Sequence, residues 1–458
     1  MSAESMQDTQ TVSALTRYPV GSLREISSIS FPLMLSALSG ALMMFFDRYI
    51  LAQYSVESMN AVTGASLSIW IFHVLLLGIT GIAEVFVGQY NGAKQFDKIA
   101  SPVWQMIWFS LFVGMLLLPI AQLIPHFFIP ERYHAEGGIY FKWLLSFSTL
   151  VGINTALTAF FVGQGKVKLI TTIVILGNII NVFGDLLLVF GIKGIFEPLG
   201  TLGAALATIA SQMIQFAILL SVFLNKNNRA LYKTHQAHIK FSELFECIKI
   251  GLPSALGHMV EIAAWSIQFH MLSMVSHTHA TIIAIGQSIF GLVAFTSEGL
   301  SKGVTAIASN LIGAKNVKSI PKVFTSSFVL HLGIACILIA PLLFHPEWLL
   351  EDFLSAETNQ ETIDLVLHYA ALSCSWIFLY FIFDGVVWIS AGFLTAAKDT
   401  VFILVANALN SWIFALIPTY YFVVIKGASP EKAWIMITLY GVVNMICFAW
   451  RMKVKLLR

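Results

Sequence analysis

The stretch Gly78-Ile-Thr-Gly-Ile-Ala-Glu-Val-Phe-Val-Gly-Gln-Tyr-Asn-Gly92-Ala93-Lys94 lines up without gaps on Gly299-Leu-Ser-Lys-Gly-Val-Thr-Ala-Ile-Ala-Ser-Asn-Leu-Ile-Gly313-Ala314-Lys315, an offset of 221 residues. The same offset carries Glu25 onto Glu246 and Pro32 onto Pro253. The chain is therefore an internal duplication, divided by its longest basic connection, Asn225 to Glu246.

Composition says what is duplicated. Of 458 residues, 57% are hydrophobic and 11% charged, and the mean hydropathy is +0.81, whereas soluble domains carry about 25% charged residues. Working outward from the repeat, apolar segments fall at about 26–51, 62–88, 102–124, 139–163, 169–191, 200–224, 246–272, 280–310, 322–345, 363–392, 400–425 and 433–450. Each is near or above the roughly 20 residues that span a bilayer as a helix. The expected fold is an all-α polytopic membrane protein of twelve transmembrane helices. Six spans per copy give both copies the same sense, so two six-helix lobes should be related by a pseudo-two-fold axis along the membrane normal. We place the N-terminal lobe with its linker at 1–235 and the C-terminal lobe at 236–458.

Basic residues set the orientation. Arg17, Arg24, Lys94, Lys98, Lys166, Lys168, Lys226, Arg229, Lys315, Lys318, Lys398, Arg451 and Lys453 fall on one side, whereas the stretch from His345 to Asp364 on the other is acidic. The positive-inside rule then makes both termini cytoplasmic in a plasma (inner) membrane. Residues 1–22 are polar and lack a signal-peptide pattern. The net charge of +2 is too mild for a nucleic-acid partner. The four cysteines are scattered without CxxC spacing, which implies reduced thiols and neither disulfides nor a zinc site.

The fifth span breaks the apolar rule. Gly177-Asn-Ile-Ile-Asn-Val-Phe-Gly-Asp-Leu-Leu-Leu-Val-Phe-Gly191 places Asn178, Asn181 and Asp185 on one helical stripe. An intramembrane carboxylate costs about 2.5 kcal/mol or more on insertion scales. Asparagines alone serve as interhelical hydrogen-bonding groups; Asp185 with Asn181 points to a cation or proton site. Asp47, near the outer end of span one beside Arg48, reads either as part of such a site or as an interfacial carboxylate. Glu261 lies roughly 18 Å along its helix from Lys249, and Asp384 roughly 21 Å from Lys398 on an oppositely running span, with Tyr380 one turn from Asp384. These two acids are thus deep enough to meet. Glu298 and Lys302, four apart on span eight, read as a self-neutralising pair. His73, His258, His270 and His331 read as hydrogen-bonded core groups rather than metal ligands, and His277 and His279 as solvated loop residues.

In their order and spacing, several motifs resemble the MATE (multidrug and toxic compound extrusion) transporters from about Gly21 to Arg451. They are Val87-Gly-Gln-Tyr-Asn-Gly-Ala-Lys, Asn181-x-x-x-Asp185, Gly203-Ala-Ala-Leu-Ala-Thr208, Phe46-Asp47, Pro253 followed by Glu261, and Tyr380-x-x-x-Asp384. The last two resemble the NorM-type branch. The usual glycine after the span-one aspartate is replaced in Ile50-Leu-Ala-Gln. The resemblance implies a cation-coupled (Na⁺ or H⁺) antiporter that exports amphipathic, mostly cationic organic compounds by alternating access. Asp47, Asn178, Asn181, Asp185, Thr208, Glu261, Tyr380 and Asp384 are the expected coupling and substrate-binding residues. Na⁺ is expected at Glu261 and Asp384, or at Asp47 and Asp185. No cofactor beyond the coupling ion is expected, and the protein should work as a lipid-embedded monomer without enzymatic activity. A lipid-linked sugar flippase of the same superfamily is the nearer alternative. An intramembrane transferase is the other, but HxxxD and DDxxD motifs are lacking.

Overall fold

The computed structural model describes residues 15–123, 125–129, 131–339, 341–344 and 360–456. Most of the acidic stretch 345–364, the first fourteen residues and Arg458 lie outside the described residues. The described residues form helices without strands. In chain order these are α1 (Leu23–Tyr54), α2 (Val56–Gly92), α3 (Ala100–Leu123), α4 (Glu131–Ser146 then Thr149–Val162), α5 (Val167–Phe190), α6 (Gly200–Phe223), α7 (Phe241–Ser273), α8 (His277–Gly313), α9 (Ile320–Leu338), α10 (Gln360–Ala396), α11 (Thr400–Ile425) and α12 (Glu431–Leu456). Ten are long and apolar enough to cross a membrane, and α4, bent by 43° at its break, makes eleven. At 33 residues α7 has the length of a twelfth, but His258, Glu261 and its end charges dilute its apolar character.

Local chemistry sets the helix ends. Ser55 caps α2 by accepting a hydrogen bond from the Ser58 N–H. Lys94, Lys315 and Lys398 close their helices in the left-handed conformation usually given to glycine. Bonds from Gln95 N to Tyr90 O and from Asp399 N to Leu394 O tie two of these ends. The ammonium groups also complement the negative end of each helix dipole, which helps offset the strain of that backbone.

The helices gather into two compact units. One holds Leu35–Ala255 and Ser309–Lys315; the other holds Thr16–Met34, Leu256–Ala308 and the chain from Asn316 onward. The breakpoints within α1 and α7 lie 221 residues apart, the spacing of the sequence repeat. The same packing is made in each unit. In the first, a Cβ on Gly78 of α2 would lie 2.6 Å from Ala255 of α7; in the second, a Cβ on Gly299 of α8 would lie 2.5 Å from the Met34 backbone of α1. Gly78 and Gly299 are repeat mates, as are Ala255 and Met34. The duplicated glycines thus mark where backbones touch.

In the first unit α5 and α6 form the tightest pair. Gly184 faces Ala207, and a Cβ on Gly203 would fall 2.6 Å from the Leu188 carbonyl. Leu176, Ile179, Phe183, Leu187 and Phe190 are exposed on the outer face of α5, whereas Asn178, Asn181 and Asp185 are buried. Lipid is no less apolar than leucine, so the large apolar groups gain nothing by turning inward and close backbone packing holds the pair. The second unit is centred on Trp434, Tyr380, Ile437, Ile282 and Ile377. There α11 departs from the regular helix expected over 400–425: Ser411–Leu416 and Tyr420–Ile425 are π-helical on either side of Pro418. Proline removes a backbone donor and displaces the preceding carbonyl, which widens the ladder.

Gly203→Val should overlap the Leu188 carbonyl directly and destabilise the α5–α6 pair by about 1–3 kcal/mol. The expected result is a lower melting temperature in detergent, measured by fluorescence size-exclusion after heating, while Gly138→Ala, at a glycine with no atom in reach, melts like the unaltered protein.

Candidate functional sites

The first unit buries a cluster around Asp185. Asp47, Asn178, Asn181, Asp185 and Thr208 are all buried, Asn181 and Asp185 completely. The Asn181 amide donates from Nδ2 to Asp47 Oδ1 at 2.9 Å, and its oxygen faces Thr208 Oγ1 at 3.2 Å, the orientation that partners both ends. Asp47 and Asp185 carboxyls are within hydrogen-bonding reach of one another. Neither Asp185 oxygen is met by a protein donor among the described residues. Asn178 sits one turn away and donates to Ser39 Oγ at 2.8 Å, while Thr171 and Ser36 pair at 3.0 Å. Three successive polar contacts therefore zip α1 to α5. Asp47 is turned into the protein by α1 rather than out of it, with Arg48 half-buried beside it.

Sequence reasoning missed Tyr140 on α4. It is buried, hydrogen-bonded to Ser66 of α2 and within electrostatic reach of both aspartates. A lone tyrosine in an apolar run gives no periodic signal, so only the packing of α2, α4 and α5 reveals it.

The second unit holds the other acids. Glu261 lines a small cavity of about 20 Å³ with Ala264, Trp265 and Gln268 of α7, Ser411, Ala415 and Leu416 of α11, and Ile437 and Tyr440 of α12. Tyr440 packs beside Tyr380 of α10, ring centroids 6.5 Å apart, and Tyr380 also meets Trp265 at 5.9 Å and Phe290 at 5.2 Å. Tyr380 is fully buried, one turn from buried Asp384, whose carboxyl Trp388 approaches with its indole N–H. Glu261 and Asp384 are close enough to interact electrostatically, as their depths implied.

Two features of this unit escaped the sequence. Asn407-x-x-Asn410 repeats Asn178-x-x-Asn181, and its side chains form a buried network: Asn410 Nδ2 to Asn444 Oδ1 at 2.9 Å, Asn444 Nδ2 to Asn407 Oδ1 and Tyr440 Oη at 3.2 Å. Gln268 occupies the repeat position of Asp47 and donates to Thr419 Oγ1 at 3.2 Å, between the π-turns. The offset of 221, carried through α7, contains the signal for Gln268; the asparagine pair repeats at an offset of 229 and shows only when the alignment admits eight extra residues before α11.

The histidines divide. His73 contacts Ser148 Oγ at 2.9 Å and His331 contacts the Phe381 carbonyl at 2.9 Å, as expected of core groups. His279 is held by Ser276 and the Ala428 carbonyl rather than simply solvated. His258 is half-exposed, stacked on Trp388 and 4.0 Å from Glu261. Among the described residues no three or more His, Cys, Asp and Glu side chains form a metal-binding group. The four cysteines are free thiols, Cys336 exposed rather than packed.

The family model MatE matches residues 32–187 and 254–421, one segment in each half. The chain belongs to the MATE family. Among curated relatives of this MATE protein, a "Probable multidrug resistance protein NorM" of Thermotoga maritima is 24% identical over 315 residues, covering 68% of this chain and 67% of the relative. The Photorhabdus laumondii protein of the same description is 23% identical over 92% of both chains. A solved structure described as the "Outward-facing conformation of a multidrug resistance MATE family transporter of the MOP superfamily" superposes with a TM-score of 0.84 at 16% identity, covering 97% of this chain and 98% of its own. At that identity the likeness shows the fold, and the twelve-helix, two-lobed architecture is that of a MATE transporter.

His331 supports the Asp384 segment physically, since a Cβ on the neighbouring Gly385 would fall 2.0 Å from its Nε2. Gly385→Ala should therefore lower the melting temperature, and His331→Ala added to it should recover part of the loss. A double-variant coupling of about 1–3 kcal/mol is expected in thermal melts; additive losses would show that the ring and the glycine are not in contact.

Proposed function

We propose that this MATE protein is a secondary antiporter that exports amphipathic, mostly cationic organic compounds from the cytoplasm in exchange for inward Na⁺ or H⁺. Both termini lie on the cytoplasmic side of a plasma membrane, and the single chain is the working unit. The observation that carries this reading is the Asp47–Asp185 contact. Two carboxylates at hydrogen-bonding distance in a dry interior repel strongly, and only a proton or a cation between them relieves that repulsion. Binding of the coupling ion then changes the local charge by a whole unit, enough to favour one helix arrangement over another. An ion with equal affinity for both arrangements would drive nothing, so the site must change shape during the cycle.

Glu261, Tyr380 and Asp384 supply a second place for the same chemistry. The cavity beside Glu261, with its polar Gln268, Ser411 and Tyr440 rim, is about 20 Å³, room for about one water or a small ion and far below the roughly 300–1,000 Å³ of a drug-sized site. The curated relatives named as probable multidrug resistance proteins support an organic cargo.

Efflux of ethidium from proteoliposomes, under a Na⁺ gradient and then under a pH gradient without Na⁺, tests the proposal. One of the two gradients should drive efflux, and Asp185→Asn, Glu261→Gln and Asp384→Asn should each lower the gradient-driven rate about tenfold or more at equal reconstitution, the scale of losing one charged interaction. Full gradient-driven efflux in all three variants would overturn the assignment of both acid sites.

A further inference from the structure

The Glu298–Lys302 pair is not used by the coupling sites. Its ammonium lies 2.7 Å from the carboxylate, yet the side chains are 46% and 55% exposed. From Val293 to Leu311 almost every residue of α8 is buried, the exceptions being Ala294, Phe295, Glu298 and Lys302. The pair therefore occupies the open face of an otherwise enclosed helix. Charged groups at membrane depth almost always face an aqueous interior rather than lipid. The surroundings agree, because Glu298 is electrostatically close to His258 of α7. His258 is itself stacked on Trp388 and 4.0 Å from Glu261.

The repeat shows that the fold does not require this pair. An offset of 221 places Glu298 on Leu77 and Lys302 on Gly81. The neighbouring glycines, by contrast, keep their packing role in both halves. A charge pair present in one copy only, on a face that packing leaves open, is free to serve recognition.

We propose that this face of the second unit is a mixed-charge subsite for zwitterionic cargo, with a carboxylate on Lys302, a cationic centre on Glu298 and a planar ring against the His258–Trp388 stack. This inference rests on the exporter reading and narrows its substrate class. A half-exposed ion pair is worth only about 0–1 kcal/mol, so opening it to admit a zwitterion costs little, and the cargo returns both contacts. A monocation needs Glu298 or Glu261 alone, so it does not depend on Lys302.

Rhodamine 110, with a free carboxylate, and rhodamine 123, its methyl ester, differ in the group Lys302 would hold. Binding of each to the detergent-purified full chain is read by fluorescence anisotropy. Lys302→Met should weaken rhodamine 110 about tenfold while leaving rhodamine 123 within about twofold, the loss expected of one charged contact. Lys302→Arg should retain rhodamine 110. Retained rhodamine 123 binding also shows that the variant is folded; if Lys302→Met does not fold, Lys302→Gln, which removes the charge and leaves Glu298 in place, replaces it, with the same differential expected. Equal weakening of both dyes, no weakening of either, or an unaltered protein that does not bind rhodamine 110 would each overturn the subsite. Gradient-driven efflux of rhodamine 123 is read separately: its absence under both gradients counts against the antiporter, whereas the binding differential decides the subsite.

Discussion

Two carboxyl groups facing each other inside an apolar bundle are the constraint on which the first unit turns. Among the described residues neither Asp185 oxygen is met by a protein donor, and Asp47 accepts from Asn181. Such a pair is stable with a shared proton or an intervening cation, and unstable without either. The surrounding contacts keep it in place: Ser39 with Asn178, Ser36 with Thr171 and Asn181 with Thr208 pin α1, α5 and α6 around it. The close packing of Gly203 on the Leu188 backbone then makes the α5–α6 pair stiff. A charge change at a stiff site has to be answered by movement of whole helices, because packed interiors deform poorly.

Duplication supplied the frame and divergence supplied the chemistry. Gly78 and Gly299 make the same backbone approach in the two units, and the units exchange partners at α1 and α7 with the spacing of the repeat. Yet Gln268 stands where Asp47 stands, and the second unit has its acids on α7 and α10 instead of α1 and α5. Such a close backbone approach needs a glycine on one side, and Gly78 and Gly299 supply it in both copies while the facing residue differs, Ala255 in one and Met34 in the other. A polar side chain inside a bundle requires only a complementary partner, so the two halves can hold different sets.

The fold was legible in the sequence because a bilayer imposes a length and the repeat imposes parity. The acid sites were legible because a carboxylate in an apolar span has few bland explanations. Tyr140 was not, since one tyrosine among aromatic residues carries no pattern and its role arises from three helices meeting. The irregular α11 was not either: Pro418 warns of a break, but one proline does not say that six residues on each side of it run as π-helix. Asp47 was ambiguous for a different reason. Its position along α1 fits an interfacial group, and only the rotation of α1 against α5 turns it toward Asp185.

The same reasoning separates the two kinds of charge in this protein. Asp47 and Asp185 are buried and of like sign, so their energy depends on what comes between them, which suits an ion that binds and leaves within each cycle. Glu298 and Lys302 are half-exposed and of opposite sign, so without cargo they neutralise each other and cost the fold little. A neutral pair exerts no drive on a conformational equilibrium, but it gives a direction to the field on an open wall. Like charges in the dry interior therefore fit the coupling proposed above, and opposite charges on the open face fit the proposed selection; within the second unit His258 lies 4.0 Å from Glu261.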